Sequence, residues 1–139
     1  MANRVATYDR IPSNEPAVLA ALAPRRRALN AWIDEQPGGL VYVRAYLDRG
    51  VSGNAQVQQR PALQRLLADA RKHTFGLLLV HSLERLGRSP SVLLEILAAL
   101  EPTEIMLRSL SPTEPPETRS RGQLVADLRR LATLSHPDR

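Results

Sequence analysis

A chain of 139 residues with no cysteine, 19 lysine and arginine residues and 14 acidic ones, net charge +5, is long enough for one domain with its own core. Without cysteine, a disulfide framework, a thiolate zinc site and a cysteine nucleophile are all excluded. Only Lys72 among the basic residues is lysine, so the positive excess is carried by arginine, which grips phosphate in a planar, two-pronged fashion.

In chain order, Arg4–Tyr8 is short and apolar and predicts a first buried strand. "SNEP" then signals a helix start, with Ser13 or Asn14 as cap and Pro16 in the first turn. Val18, Leu19, Leu22, Leu29, Trp32 and Ile33 follow at helical spacing. Pro24 is expected to kink or split this helix, because it removes an amide donor mid-run. "QPGG" ends it. Leu40–Leu47 predicts a second strand, and "DRGVSGNAQVQQ" a long polar loop with no element of its own. Loops of that size inside a compact domain are often functional. Pro61–Arg71 predicts an amphipathic helix with Leu63, Leu66 and Leu67 inward. A third strand is expected over Phe75–Val80, and a helix over Pro90–Leu100 with Val92, Leu93, Ile96, Leu97 and Leu100 on one face. A fourth strand is expected over Glu104–Leu107. "SPTEPPETRS" marks a proline-rich linker over 111–119. From residue 120 to 139 the pattern opens a further helix with a stripe of Leu124, Leu128, Leu131 and Leu134. The catalytic-type unit is thus expected over 1–110.

Strands alternating with helices predict an α/β fold, a mainly parallel sheet of four to five strands flanked by helices. Ligands of such sheets sit beyond the carboxyl ends of the strands. Arg10 follows the first strand, Ser52 and Arg60 follow the second, and Arg85 and Arg88 follow the third. Three strand ends therefore deliver cations to one rim, which suits stabilisation of charge on phosphoryl oxygens. His73, His81 and His136 sit at no ligand spacing and no GxxxxGK[ST] loop is present, so no metal or cofactor is expected. The apolar runs are too short to span a bilayer and "MANRVATYDR" carries no signal core. A cytoplasmic protein with no membrane contact is expected.

"LERLGRS" is similar to the Leu-Asp-Arg-Leu-Gly-Arg-Ser segment of serine recombinases, the resolvase–invertase family. "YLDRGVSG" followed by "RPALQRLL" resembles that family's Ser-Gly loop, arginine and next helix. "TYDRIPS" resembles its opening Tyr-x-Arg-x-Ser motif, and "RSLSPTEPPETRSRGQL" the run into its long dimerising helix. The resemblance covers nearly the whole chain, in order. It implies a resolvase-like catalytic domain with its closing helix cut short and no DNA-reading module after it. It also implies attack of a serine on a DNA phosphodiester, giving a 5′-phosphoserine link and a free 3′-hydroxyl, without metal. Arg10, Arg60, Arg85 and Arg88 match the family's active-site arginines, and Glu84 stands where an aspartate is usual. Tyr8 and Ser52 match DNA-facing positions. Pro12 occupies the place of the usual serine nucleophile, and Ser13 is the next hydroxyl. In an extended segment that shift points the side chain to the opposite face, so strand cleavage is expected to be impaired. The stretch from Ser52-Gly53 to Arg60 is also longer than the family pattern.

The implied partners are DNA, bound weakly and without sequence preference by this chain alone, and a second copy in a dimer through the Leu124–Leu134 stripe. The alternative is a catalytically silent DNA-phosphate-binding or oligomerisation module derived from a mobile-element recombinase. A small phosphoesterase using the same pocket is a third reading. On the bland side, Ser13 suits a helix cap, Tyr8 suits core packing, and "RLGR" suits a solvated helix start.

Overall fold

The computed structural model describes residues 3–112 together with the short strand at 117–118. Four strands run parallel: β1 (Arg4–Ile11), β2 (Val41–Arg49), β3 (Leu77–Val80) and β4 (Met106–Ser109). A two-residue strand β5 (Glu117–Thr118) pairs antiparallel with β4, and the spatial order is β2-β1-β3-β4-β5. The expected α/β architecture with a mainly parallel sheet is therefore present. β5 lies inside the stretch expected as a linker. The expected helix from residue 120 and its leucine stripe lie outside the described residues.

β1 and β3 are central strands buried on both faces; β3 is accordingly wholly apolar, whereas β1 also buries Thr7, Asp9 and Arg10. Side chains alternate across the sheet. Ala6, Tyr8, Leu78, Val80 and Leu107 point to one side. There they meet α2 (Pro61–Arg71) through Leu63, Leu66, Leu67 and Ala70, and α4 (Pro90–Leu100) through Val92, Leu93, Ile96, Leu97 and Leu100. Val5, Leu77 and Leu79 point to the other side and meet Leu29 and Ile33 of α1 (Pro16–Asp34). The larger core lies on the side of α2 and α4. Both proline-initiated helices of that layer begin where the spacing predicts, since proline is tolerated at a helix's first position.

Four details depart from expectation. Pro24 neither ends nor splits α1, which runs unbroken from Pro16 to Asp34. Pro24 is exposed, so the carbonyl groups it leaves without a donor face water, and Arg25 anchors the same turn to β1 through Asp9. The cap of α1 is Glu15, with no side-chain cap bond, rather than Ser13 or Asn14. The polar loop carries one 3-10 turn at Val57–Gln59, closed by reciprocal hydrogen bonds between Gln56 and Gln59. Finally, β4 starts at Met106, because Glu104 adopts a left-handed conformation (φ 61°) that ends a 3-10 turn at Glu101–Thr103. Among the described residues, no helix is long and apolar enough to cross a membrane.

Candidate functional site

β1 is longer than its neighbour β3. Tyr8 is opposite Val80, the last residue of β3, while Asp9, Arg10 and Ile11 pair only with β2. This overhang creates a rim at the carboxyl end of the sheet. Three connections close over it: the loop after β2, the short helix α3 (Leu83–Leu86) after β3, and the Gly87–Ser89 segment leading into α4.

Arg10 is 3% exposed. Its guanidinium donates to the carbonyl oxygens of Val51 (3.2 Å) and Glu84 (3.1 Å), so it ties the post-β2 loop to α3. Burial pushes its pKa below the usual arginine value, and the charges of Arg85 and Arg60 push further in the same direction. Arg60 is fully buried. Its Nη2 and Nε donate to the Tyr8 hydroxyl at 2.9 and 3.3 Å, Nη2 also reaches the Arg85 carbonyl at 3.4 Å, and its guanidinium carbon lies 5.4 Å from the Tyr8 ring centre. Arg10 Nε and Arg60 Nη1 are buried with no hydrogen-bond partner among the described residues. Native proteins rarely leave such donors unmet.

Arg85 Nη1 donates to the Arg10 carbonyl at 3.1 Å and stands 3.8 Å from Asp9 Oδ1. Arg88 is held differently: its backbone amide donates to the Gly53 carbonyl at 3.0 Å, while its side chain is 59% exposed and pairs with Glu84 at 3.6 Å. A pair that exposed contributes little to stability, so the Arg88 side chain is free to turn toward a ligand. Gly53 is required by this packing. A Cβ there would stand 2.1 Å from Arg88 Cγ and 2.9 Å from Arg10 Nη2. The "VSG" loop and the "LERLGRS" segment are therefore in direct contact, and the structure brings Arg10, Arg60, Arg85 and Arg88 to one rim.

Two sequence-nominated hydroxyls sit at its edge. Ser52 is exposed, and its Oγ accepts from the Asn54 amide at 3.1 Å. Ser13 is half-buried, and its Oγ accepts from the Glu15 amide at 3.3 Å, a local turn bond before α1. Tyr8 is a core residue by burial and a site residue by contact, since its hydroxyl accepts from Arg60 and donates to Asp48 Oδ2 at 2.7 Å. Burial raises its pKa far above the usual phenol value; Arg60 opposes that rise and Asp48 adds to it.

Asp48, Asp9 and Arg25 escaped sequence reasoning. Asp48 is 2% exposed. Its carboxylate accepts from the Ala62 amide (2.7 Å), the Leu63 amide (3.0 Å) and Tyr8. It thus caps the positive end of α2 from the neighbouring strand and holds the Tyr8–Arg60 pair in place. A usable signal was present: an aspartate stands next to the end of the strand that precedes a helix opening on proline, with no side-chain cap of its own. Five guanidinium groups (Arg10, Arg25, Arg60, Arg85, Arg88) face three carboxylates (Asp9, Asp48, Glu84). A partly buried positive surplus of this kind is suited to an anion. Among the described residues, no group of His, Asp and Glu could hold a metal ion.

The sequence profile of the resolvase N-terminal domain matches residues 5–133. The chain belongs to the resolvase family. Among solved structures, the N-terminal catalytic domain of TP901-1 integrase is similar over 96% of this chain and 97% of its own, with 24% identity and a TM-score of 0.72. A resolvase-family site-specific recombinase from Streptococcus pneumoniae is similar over 97% of this chain and 89% of its own, with 20% identity and a TM-score of 0.64. A serine recombinase from Sulfolobus solfataricus is similar over 96% of this chain and 83% of its own, with 19% identity and a TM-score of 0.62. No curated protein matches the sequence. The four-stranded parallel sheet described above is the fold shared with these structures.

Proposed function

We propose that this resolvase-family domain holds a DNA phosphodiester among Arg10, Arg60, Arg85 and Arg88, and that its strand-cleaving chemistry through Ser13 is impaired. The observation that carries the first half is the pair of buried arginines, Arg10 and Arg60, each with a side-chain donor left over. Phosphate oxygens are the chemically matched acceptors. The second half rests on Pro12, which has no hydroxyl at the position of the family's nucleophile, and on the local turn bond of Ser13.

In the full reaction the serine oxygen attacks phosphorus, the 3′-oxygen of the deoxyribose leaves as a hydroxyl, and a 5′-phosphoserine link remains. Rejoining is the reverse. The arginines balance the charge that grows on the non-bridging oxygens. Attack requires the oxygen about 3 Å from phosphorus and in line with the leaving oxygen, and a misplacement of about 1 Å can cost 100-fold. A hydroxyl moved one residue along, beyond a proline ring, misses that geometry unless the turn is rebuilt. The same turn bond at Ser13 favours the second reading, a silent DNA-phosphate-binding module. DNA binding by the chain alone is weak, sequence-blind and dominated by phosphate contacts. Dimerisation through the Leu124–Leu134 stripe belongs to the same proposal, since an apolar helix stripe needs cover.

The test is denaturing-gel detection of a covalent protein–DNA adduct on a nicked suicide duplex. The expected result is a trace or no adduct with the wild type, no change in Ser13→Ala, and a measurable adduct with Pro12→Ser. An adduct formed by the wild type and lost in Ser13→Ala would make Ser13 a working nucleophile. An absence of any salt-dependent duplex binding would overturn the phosphate-holding role itself.

A further inference from the structure

Arg25 comes from α1, on the other side of the sheet from α2, and its side chain bonds to Asp9. Its Nε donates to Asp9 Oδ2 at 2.8 Å and its Nη2 to Asp9 Oδ1 at 3.2 Å, a two-pronged grip. Oδ1 also accepts the Arg10 amide at 2.7 Å. Arg85 Nη1 stands 3.8 Å from the same Oδ1, outside hydrogen-bond range, and donates instead to the Arg10 carbonyl. The Asp9 side chain is 8% exposed, Arg25 16% and Arg85 19%, so little water screens this triangle. One carboxylate therefore faces two guanidinium groups, and Arg25 holds the closed position.

Taking Arg25 away would leave Oδ2 and one lone pair of Oδ1 without donors in a nearly buried place. Arg85 is the neighbouring guanidinium that a small side-chain rotation would bring onto them. An Arg85 closed on Asp9 in two-pronged fashion would have its charge neutralised and its donors spent.

We propose that Arg25 is a positioning residue that keeps Asp9 from sequestering Arg85, so that the docking of α1 determines whether Arg85 is available to an anion. The consequence for DNA rests on the phosphate-holding role described above. The device makes the two ends of one ion pair act with opposite sign: losing Arg25 disables Arg85, and losing the charge of Asp9 releases it.

The experiment follows the Arg85 guanidinium resonances by NMR in the full chain, assigned by their loss in Arg85→Lys, alongside fluorescence anisotropy with a duplex DNA. Arg25→Gln is expected to shift the Arg85 Nε–Hε resonance and to weaken duplex binding by roughly fivefold, the size of one partly exposed charge contact. Asp9→Asn is expected to bind as well as the wild type or better. The double variant Arg25→Gln/Asp9→Asn is expected to match Asp9→Asn in both readouts. Its recovery also excludes misfolding, since it lacks the ion pair as well. A pair that merely fastens α1 would weaken binding equally in both single variants, and that result would overturn the proposal, as would an Arg85 resonance unmoved by Arg25→Gln. If the Arg85 resonance responds as expected but no variant binds duplex, the positioning stands and the phosphate-holding role fails.

Discussion

Replacing Asp48 with alanine should be among the most damaging single changes in this domain, although Asp48 approaches no substrate. Its buried carboxylate accepts three hydrogen bonds, two from the first free amides of α2 and one from the Tyr8 hydroxyl. Losing the cap alone costs about 0.5–2 kcal/mol. Leaving the buried Tyr8 hydroxyl without its acceptor adds about 1–3 kcal/mol. Tyr8 in turn is the acceptor for buried Arg60, so the two losses together come to about 1.5–5 kcal/mol. Domains are stable by only about 5–15 kcal/mol, so Asp48→Ala should remove a large share of the whole. Asp48→Asn keeps the volume and one carbonyl, and should cost about 1–2 kcal/mol. Asp69 provides the contrast. It also accepts from a tyrosine, Tyr46, but its other partner Arg44 is 53% exposed, so Asp69→Ala should cost about 1 kcal/mol. Urea unfolding of the three variants, read as midpoint and slope, measures all of this. Asp48→Ala within about 1 kcal/mol of the wild type would refute the account of how α2 is anchored.

Gly53→Ala should cost about 1–3 kcal/mol in stability, because the new methyl group would displace Arg88 Cγ and press on the buried Arg10 Nη2. The same displacement should weaken duplex binding, so unfolding and anisotropy measured side by side should separate the two effects. Stability should fall as pH rises above about 10. Tyr8 and Tyr46 both have folded pKa values raised by burial. Their contribution is fully present below the ordinary phenol value near 10 and is lost above it, as the unfolded chain ionises first. Tyr8→Phe should flatten that alkaline slope in urea midpoints taken across the range.

Much of the sheet was legible because its strands are central: an apolar run such as "LLLV" between polar turns has few other uses. The four arginines were legible because each falls within a recognisable motif near a strand end or a helix start, although Arg10 proves to lie within β1 rather than after it and Arg85 within α3. Strand ends were less so. β4 begins two residues later than its apolar pattern suggests, since the left-handed Glu104 is a backbone property that hydrophobic spacing does not encode. Pro24 was misread because its effect depends on what faces it, and here its turn faces water and is fastened by Arg25. Asp48 and Asp9 were missed for a related reason. Their partners lie on other elements, Asp48 with Tyr8 on β1 and the amides of α2, Asp9 with α1 and α3. A carboxylate's sequence neighbours say little about which distant donor it will meet.

The strand order has a consequence for how the molecule assembles. No two neighbours among β1 to β4 are joined by a hairpin, because all four run parallel. β1 must pair with β2 about one helix downstream and with β3 much later: Val5 meets Leu77 and Tyr8 meets Val80. Closing such distant contacts places the entropic cost of ordering the chain before its reward, and mixed α/β domains of this kind fold more slowly than helical bundles. On a ribosome, β1 emerges first and can find β2, but its other edge stays open until residues near 80 have left the tunnel. The arginine rim needs β1, the loop after β2 and α3 together, so it exists only once that last central strand has docked. In this chain the site forms as β3 docks on β1, before β4 and β5 complete the sheet.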